Sequence, residues 1–538
     1  MEQINSYIGL GLSTSNGSIP RKSHSCGGGK MVATASQFIY LDELAKTAAV
    51  NADKCAITDE TRSLTYRELM DEISERWHAL ANAGLKQGDR VAIVAENSVS
   101  YIVSVFAVWA AGGTVATIFP STTASDVVTT VQDADPVIVF TDKTTDPLLR
   151  GLLRADLPVV RIDEDFIVGN VAKDVMPTPE ALIKPLKLIC YSSGTTSRPK
   201  AIMLSGDALF NSAKTHGEVW GINSDEVVIT CLPMAWLFGL TTVTMSTLLA
   251  GGTVVSLRRS KPELIAQAIE KYKVTFLPAV ATVLAKLAHF LETNENTWNL
   301  SSLRLVLSGG EPRNETAFNA LKVFTGLPVH DTYCASEMFP LITYNPVSDP
   351  YPRTGSAGKL VPRSELRVVD KNGTDVNPGE IGEALSRGPG LMLGYWNDPI
   401  LTQESLTDDG WYKTKDLVRV DEDGYVYVVG RLSDMIIRGG SNVSPAEVEA
   451  VLDEYPEIAK SAVVGLPDPL YGEEVVAAVQ LKNGFIFDPD AIKAFASERL
   501  PGYKVPTRYE VIPEVPQNAT TLKVNRAEVK QLLAGRST

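Results

Sequence analysis

The stretch "ICYSSGTTSRPKAIMLSG", residues 189–206, sets Ser192, Ser193, Thr195 and Thr196 around Gly194 and follows them with Arg198, Pro199 and Lys200. That combination suits a polyphosphate. Glycine lets backbone N–H groups turn toward an anion, hydroxyls donate without carrying charge, and lysine supplies the cation. The spacing is not G-x-x-x-x-G-K-[ST], and "GGGK" at 27–30 fails that pattern too, so neither is a Walker loop. Taken alone, the stretch reads more readily as a hydroxyl-rich surface loop.

A loop of this kind needs a rigid frame, and the flanking sequence supplies one. The apolar "LKLICY" enters it as a strand, and short β-branched runs alternate with helical patterns along most of the chain. "GDRVAIVAE" reads as a strand following a helix that opens with a capping box, Thr65 to Glu68. "AGGTV" occurs at 111–115 and again at 250–254, each time between a helical and a strand-like segment, which predicts two related α/β units. Residues 102–120 are uncharged over the length of a membrane span, but Gly112 and Gly113 with the β-branched run behind them predict helix–turn–strand in a buried core. Beyond Gly430-Arg431 the pattern changes. Ser444 as N-cap, Pro445 in the first turn and Glu447 closing a capping box start a helix, and further strand and helix patterns complete a compact α+β domain.

Composition narrows the function. The 538 residues are 44% hydrophobic and 21% charged, enough for a large core and at least two domains. The formal net charge of −14 argues against a nucleic-acid binder, so any phosphate ligand must be held locally. Five scattered cysteines without a C-x-x-C pair indicate neither a disulfide framework nor a thiolate zinc site, and a cytoplasmic protein is expected. No signal peptide is read. Residues 1–30, Ser/Gly-rich and followed by Met31, are expected to be a disordered tail or an upstream segment.

The loop resembles the phosphate-binding signature of the acyl-adenylate-forming superfamily, which includes acyl-CoA synthetases, other AMP-dependent ligases, adenylation domains and luciferases. The resemblance recurs in order at "LPMAWLFGL" (232–240), "LSGGEP" (307–312), "DTYCASE" (331–337), "GEIGEALSRGPGLMLGYWNDP" (379–399), "GWYKTKDLVRVDEDGYVYVVGRLSDMIIRGGSNVSPAEVE" (410–449), "LPGYKVP" (500–506) and "PQNATTLKVNR" (516–526). It implies a large α/β N-terminal domain over 31–430, built of two related subdomains and a small barrel-like part. A hinge at 431–433, pivoting on Ser433, then leads to a small mobile α+β domain over 434–538. The implied reaction joins a carboxylic acid to the α-phosphate of MgATP and then passes the acyl group to a pantetheine thiol.

By the same resemblance Lys523 is the catalytic lysine between substrate carboxylate and α-phosphate, and Glu337 is catalytic as the Mg²⁺ ligand. Ser192, Ser193, Gly194, Thr195, Thr196, Lys200 and Ser336 belong to the phosphates. Gly310, Glu311, Pro312, Asp331, Thr332 and Tyr333 line the adenine side, with Asp331 accepting from its amino group and Tyr333 against its face. Asp416 would accept both ribose hydroxyls, steadied by Arg431. Trp236, Leu237, Phe238, Gly309, Ala335 and Met338 would form the acyl pocket. Arg438, Gly439 and Gly440 would face the pantetheine arm of CoA or of a carrier protein. Both acceptors remain open, as do oxidation of the adenylate by O₂ and a non-catalytic nucleotide- or acyl-binding role.

Amino-acid-activating members of the resembled superfamily place an aspartate in the block that 232–240 resembles, to grip the α-amino group; this block has none, so the resemblance implies a fatty or aryl acid rather than an amino acid. Where the family usually has glycine, this chain has Ser197, Ala201, Cys334, Lys415 and Leu522. A lost glycine at a left-handed position costs about 1–2 kcal/mol.

Overall fold

The computed structural model describes residues 38–120, 123–173, 175–192, 200–294, 296–517 and 524–535. The expected tail lies outside the described residues, as do Ser193, Gly194, Thr195, Thr196, Ser197, Leu522 and Lys523.

Two α/β units share one plan. In the first, Arg90–Val94, Thr114–Thr117, Ile138–Thr141, Val159–Arg161 and Leu186–Ser192 are the five parallel strands of a seven-stranded sheet. Lys200–Ser205 pairs antiparallel to Leu186–Ser192, and Gly394–Tyr395 closes that edge. In the second, Val227–Thr230, Thr253–Ser256, Phe276–Ala279, Leu305–Gly309 and Val329–Ala335 run parallel. Six antiparallel strands between Met338–Thr343 and Tyr425–Arg431, where a small barrel-like part is expected, continue this second sheet at one edge, and Cys55–Thr58 and Ser63–Thr65 extend the other, thirteen strands in all.

The repeated "AGGTV" is a repeat of structure. Gly112 and Gly251 lie at φ +84° and +81°, and the next glycine in each case donates to the carbonyl five residues back, Val108 at 2.9 Å and Thr247 at 3.0 Å. This is the helix stop that only a left-handed residue completes. Thr114 and Thr253 then start their strands by donating to Asp89 and Glu226, each at 2.8 Å. The apolar stretch before the first copy is the helix Val99–Ala110, buried at every residue. Among the described residues no helix is long and apolar enough to cross a membrane.

After Arg431 the chain makes one 3₁₀ turn, Leu432–Asp434, and enters a separate five-stranded sheet. Ile436–Arg438 and Ser441–Val443 pair through the turn Gly439-Gly440, with both glycines at positive φ, the geometry a two-residue hairpin demands. Ile458–Asp468, Gly472–Leu481 and Arg508–Val511 complete the sheet, with Pro445–Leu452 and Pro489–Ser497 packed on one face and Arg526–Ala534 on the other. Ser444 caps its helix by accepting from the Glu447 N–H. The expected capping box does not close: the Glu447 carboxylate instead holds the Lys504 ammonium at 2.6 Å through both oxygens. An ion pair across the domain offers that carboxylate more than one backbone N–H does.

Candidate active site

The site residues gather where parallel strands end, the edge at which open α/β sheets bind ligands. Asp331, Thr332 and Tyr333 lie on Val329–Ala335, in register with Ser308 and Gly309 at the end of the neighbouring strand. Ser336 and Glu337 form the turn into Met338–Thr343.

Asp416 and Arg431 are direct partners across two antiparallel strands, and Arg431 Nε donates to Asp416 Oδ1 at 3.1 Å. Tyr333 Oη donates to the other oxygen, Oδ2, at 2.7 Å. Each carboxylate oxygen keeps a second lone pair, so the aspartate is fixed in place and can still accept. Burial opposes the charge on Arg431, but Asp416 and Asp434 beside it hold its pKa above the ordinary value. Burial, then the Asp416 charge, raises the Tyr333 pKa, which keeps the phenol a donor. Tyr333 therefore positions the carboxylate, beyond the adenine-facing role expected of it.

Asp331 is buried and already engaged, accepting from Arg313 Nη1 at 2.6 Å. Burial pushes its pKa up to about 6 against the pull of Arg313. Glu311 accepts from the Thr282 N–H at 2.7 Å, and Gly310 before it lies at φ +77°. Pro312 follows in the same loop.

Glu337 is buried, and its Oε1 accepts from Tyr395 Oη at 2.8 Å. Burial raises the Tyr395 pKa, and the Glu337 charge adds to it. Tyr395 Cα pairs with Ile202, on the strand that leaves the phosphate loop, and Lys200 Nζ at the head of that strand lies 5.6 Å from the Tyr395 ring centroid. Ser192 and Lys200 face each other at the base of the loop.

On the acyl side, Trp236 is half-buried against Phe119, with ring centroids 5.0 Å apart. Asn97 holds its segment, accepting from the Met234 N–H at 2.7 Å and donating to the Leu232 carbonyl at 2.8 Å. Leu237 and Met338 are core residues of the first unit, and Ala335 packs against the same core. Phe238 starts a π-helix, Phe238–Met245, a geometry concentrated at functional sites. A Cβ on Gly309 would stand 2.6 Å from Thr332 Cγ2 and 3.1 Å from Phe238, so only glycine fits there. In the small domain Arg438 is spent internally: Nη1 donates to the Tyr503 carbonyl at 3.0 Å, and the guanidinium lies 5.5 Å from the Tyr471 ring centroid.

The AMP-binding enzyme family matches residues 44–396, and the AMP-binding enzyme C-terminal domain matches 447–521. The chain belongs to the AMP-binding enzyme family. Among its relatives, the indoleacetate–CoA ligase of Aromatoleum aromaticum is 31% identical over 90% of this chain and 96% of its own length. A 2-succinylbenzoate–CoA ligase of Bacillus cereus is 30% identical over 91% and 98%. The crystal structure of ATP-bound MatB from Rhodopseudomonas palustris superposes with a TM-score of 0.82 at 28% identity, over 92% of this chain and 99% of that one, and apo MatB with 0.72.

Three residues of this AMP-binding enzyme site escaped the sequence. Tyr395 lies inside a recognised block, but a tyrosine among apolar residues reads as core. Arg313 and Asn97 carry no local signal, because each acts on a partner that only the fold brings near.

Proposed function

We propose that the protein activates an aryl carboxylic acid as its acyl-adenylate with MgATP and transfers the acyl group to the thiol of coenzyme A. The observation that carries this reading is one hairpin, 329–343, that ties two carboxylates together: Tyr333 holds Asp416, and Glu337 sits four residues on, bonded to Tyr395, whose strand pairs with the one that leaves the phosphate loop. Asp416 with Arg431 suits a ribose diol, and Glu337 and Lys200 suit the phosphates. Both attacking carboxylate and triphosphate are anionic, so their repulsion must be screened where the bond changes. Lys523 is assigned to that point.

Magnesium fits the donor set. Among the described residues no hydrogen bond reaches Glu337 Oε2, and no group of three or more His, Cys, Asp and Glu could cage a metal. One carboxylate plus nucleotide phosphates is the usual way a protein holds Mg²⁺, and the ion would supply Lewis-acid screening of the phosphates. The aromatic wall of Trp236 and Phe119, without a charge in 232–240, favours an aryl acid, in keeping with the relatives named for indoleacetate and 2-succinylbenzoate. The better superposition on ATP-bound than on apo MatB supports assigning this domain arrangement to adenylate formation.

Acid-dependent ATP–pyrophosphate exchange over a panel of aryl, fatty and amino acids, followed by addition of CoA or a carrier protein, tests the proposal. Exchange with aryl acids and release of the acyl group by CoA are expected. Exchange with free amino acids alone, or none with any acid, would sink it.

A further inference from the structure

The segment 388–396 crosses the site as a strap. On one side the Met392 N–H donates to the Glu337 carbonyl at 2.8 Å. On the other, the Leu393 and Trp396 N–H groups donate to the Met203 and Ala201 carbonyls, each at 2.8 Å, on the strand that leaves the phosphate loop. The strap runs so close to Met338–Thr343 that a Cβ on Gly390 would stand 1.7 Å from the Phe339 carbonyl oxygen. Its one buried phenol, Tyr395, meets Glu337 Oε1 with its hydroxyl, while Lys200 Nζ lies over the ring.

We propose that Tyr395 is the positioning residue for Glu337: its hydroxyl occupies Oε1, so that Oε2 alone is turned to the magnesium that arrives with ATP, and the strap fixes that carboxylate relative to Lys200. This rests on the proposed role of Glu337. A carboxylate with both oxygens free can rotate or bind side-on, and a hydrogen bond to one oxygen removes that freedom. Fixing a ligand through the partner behind it is how proteins sharpen affinity for a metal.

The test is direct binding of ATP by titration calorimetry, with EDTA and with excess Mg²⁺, to the wild type, Tyr395→Phe and Glu337→Gln. The ring and its packing survive in Tyr395→Phe, so metal-free ATP affinity should match the wild type and report an intact site. The Mg²⁺ enhancement of ATP affinity should fall about ten-fold, the low end of what losing such a partner costs a metal site. In Glu337→Gln it should fall at least as far. A wild-type enhancement in Tyr395→Phe, with the enhancement lost in Glu337→Gln, overturns the role of Tyr395 alone. A wild-type enhancement in Glu337→Gln overturns both that role and the assignment of Glu337. A loss of metal-free ATP affinity in Tyr395→Phe equal to the loss with Mg²⁺ makes the phenol a general packing residue and overturns the inference as well.

Discussion

Lys415 stands at φ +59°, in the left-handed region, directly before Asp416. A side chain there costs about 1 kcal/mol relative to glycine, part of which glycine returns through its freer unfolded chain. Lys415→Gly should therefore raise the melting temperature slightly, and an unchanged or lower value would show that the lysine side chain offsets the strain. Asp416→Ala should be far more damaging. It removes a charged acceptor from any ribose and leaves Tyr333 and Arg431 without their partner. Hydrogen bonds to a charged group are worth about 1.5–3 kcal/mol each, so ATP-dependent exchange should drop at least about ten-fold. An ATP KM and kcat equal to wild type would make the carboxylate a bystander. At this scale residue type alone did not single out Glu337 or Asp416, which read as loop carboxylates; the order of the family blocks did, and the same resemblance marked Lys415 at a position the family gives to glycine. The sequence hid partners: the Tyr395–Glu337 bond spans 58 residues, and neither end announces the other.

Elements were legible where local chemistry decides them. The helix starts at Thr65 and Ser444 and the glycine stops at 112 and 251 stand where turn and cap rules put them, whereas the Gly439-Gly440 hairpin was not read from the sequence. The π-helix Phe238–Met245, whose side chains are shared between two core clusters, was not legible, because no cap or turn residue marks it. Helix Gly206–Trp220 carries a further consequence of burial. His216 is enclosed in it against the Trp220 ring, its Nδ1–H donating to the Ser212 carbonyl at 2.9 Å. Burial pushes its pKa down to about 3, the carbonyl bond opposing. The folded ring thus stays neutral where an unfolded one, at its ordinary value near 6.5, takes a proton. That stability is fully present above 6.5 and is lost as pH falls from there toward 3. By pH 5 the loss reaches about 2 kcal/mol. His216→Leu should flatten the decline in melting temperature between pH 7.5 and 5, whatever its effect at neutral pH. An equally steep decline in the variant would remove His216 from the acid response.

At the scale of the whole molecule the sequence told where one sheet system ends and another begins, because the pattern changes near Gly430-Arg431 and a new helix cap follows at Ser444. What it could not tell was how the small domain is held. Ser444 Oγ donates across the boundary to the Val429 carbonyl at 2.5 Å. Arg526, on the last helix, reaches Glu449 at 2.5 Å and Asp434 at 3.7 Å, so Asp434 is tied to the small domain while Arg431 is tied to Asp416 in the large one. Only Leu432 and Ser433 lie between these two anchors, and both are exposed. A rotation of the small domain must therefore be absorbed there. Ser433 sits in a 3₁₀ turn, whose φ near −60° is the value proline imposes. Ser433→Pro should accept the present arrangement and oppose any other that needs a different φ. If this arrangement forms the adenylate, pyrophosphate exchange should stay within about two-fold of wild type while transfer from isolated adenylate to CoA falls at least about ten-fold, the rate equivalent of about 1.4 kcal/mol. Equal loss of both half-reactions in a variant with a native circular dichroism spectrum would mean that Ser433 is not a pivot used between them.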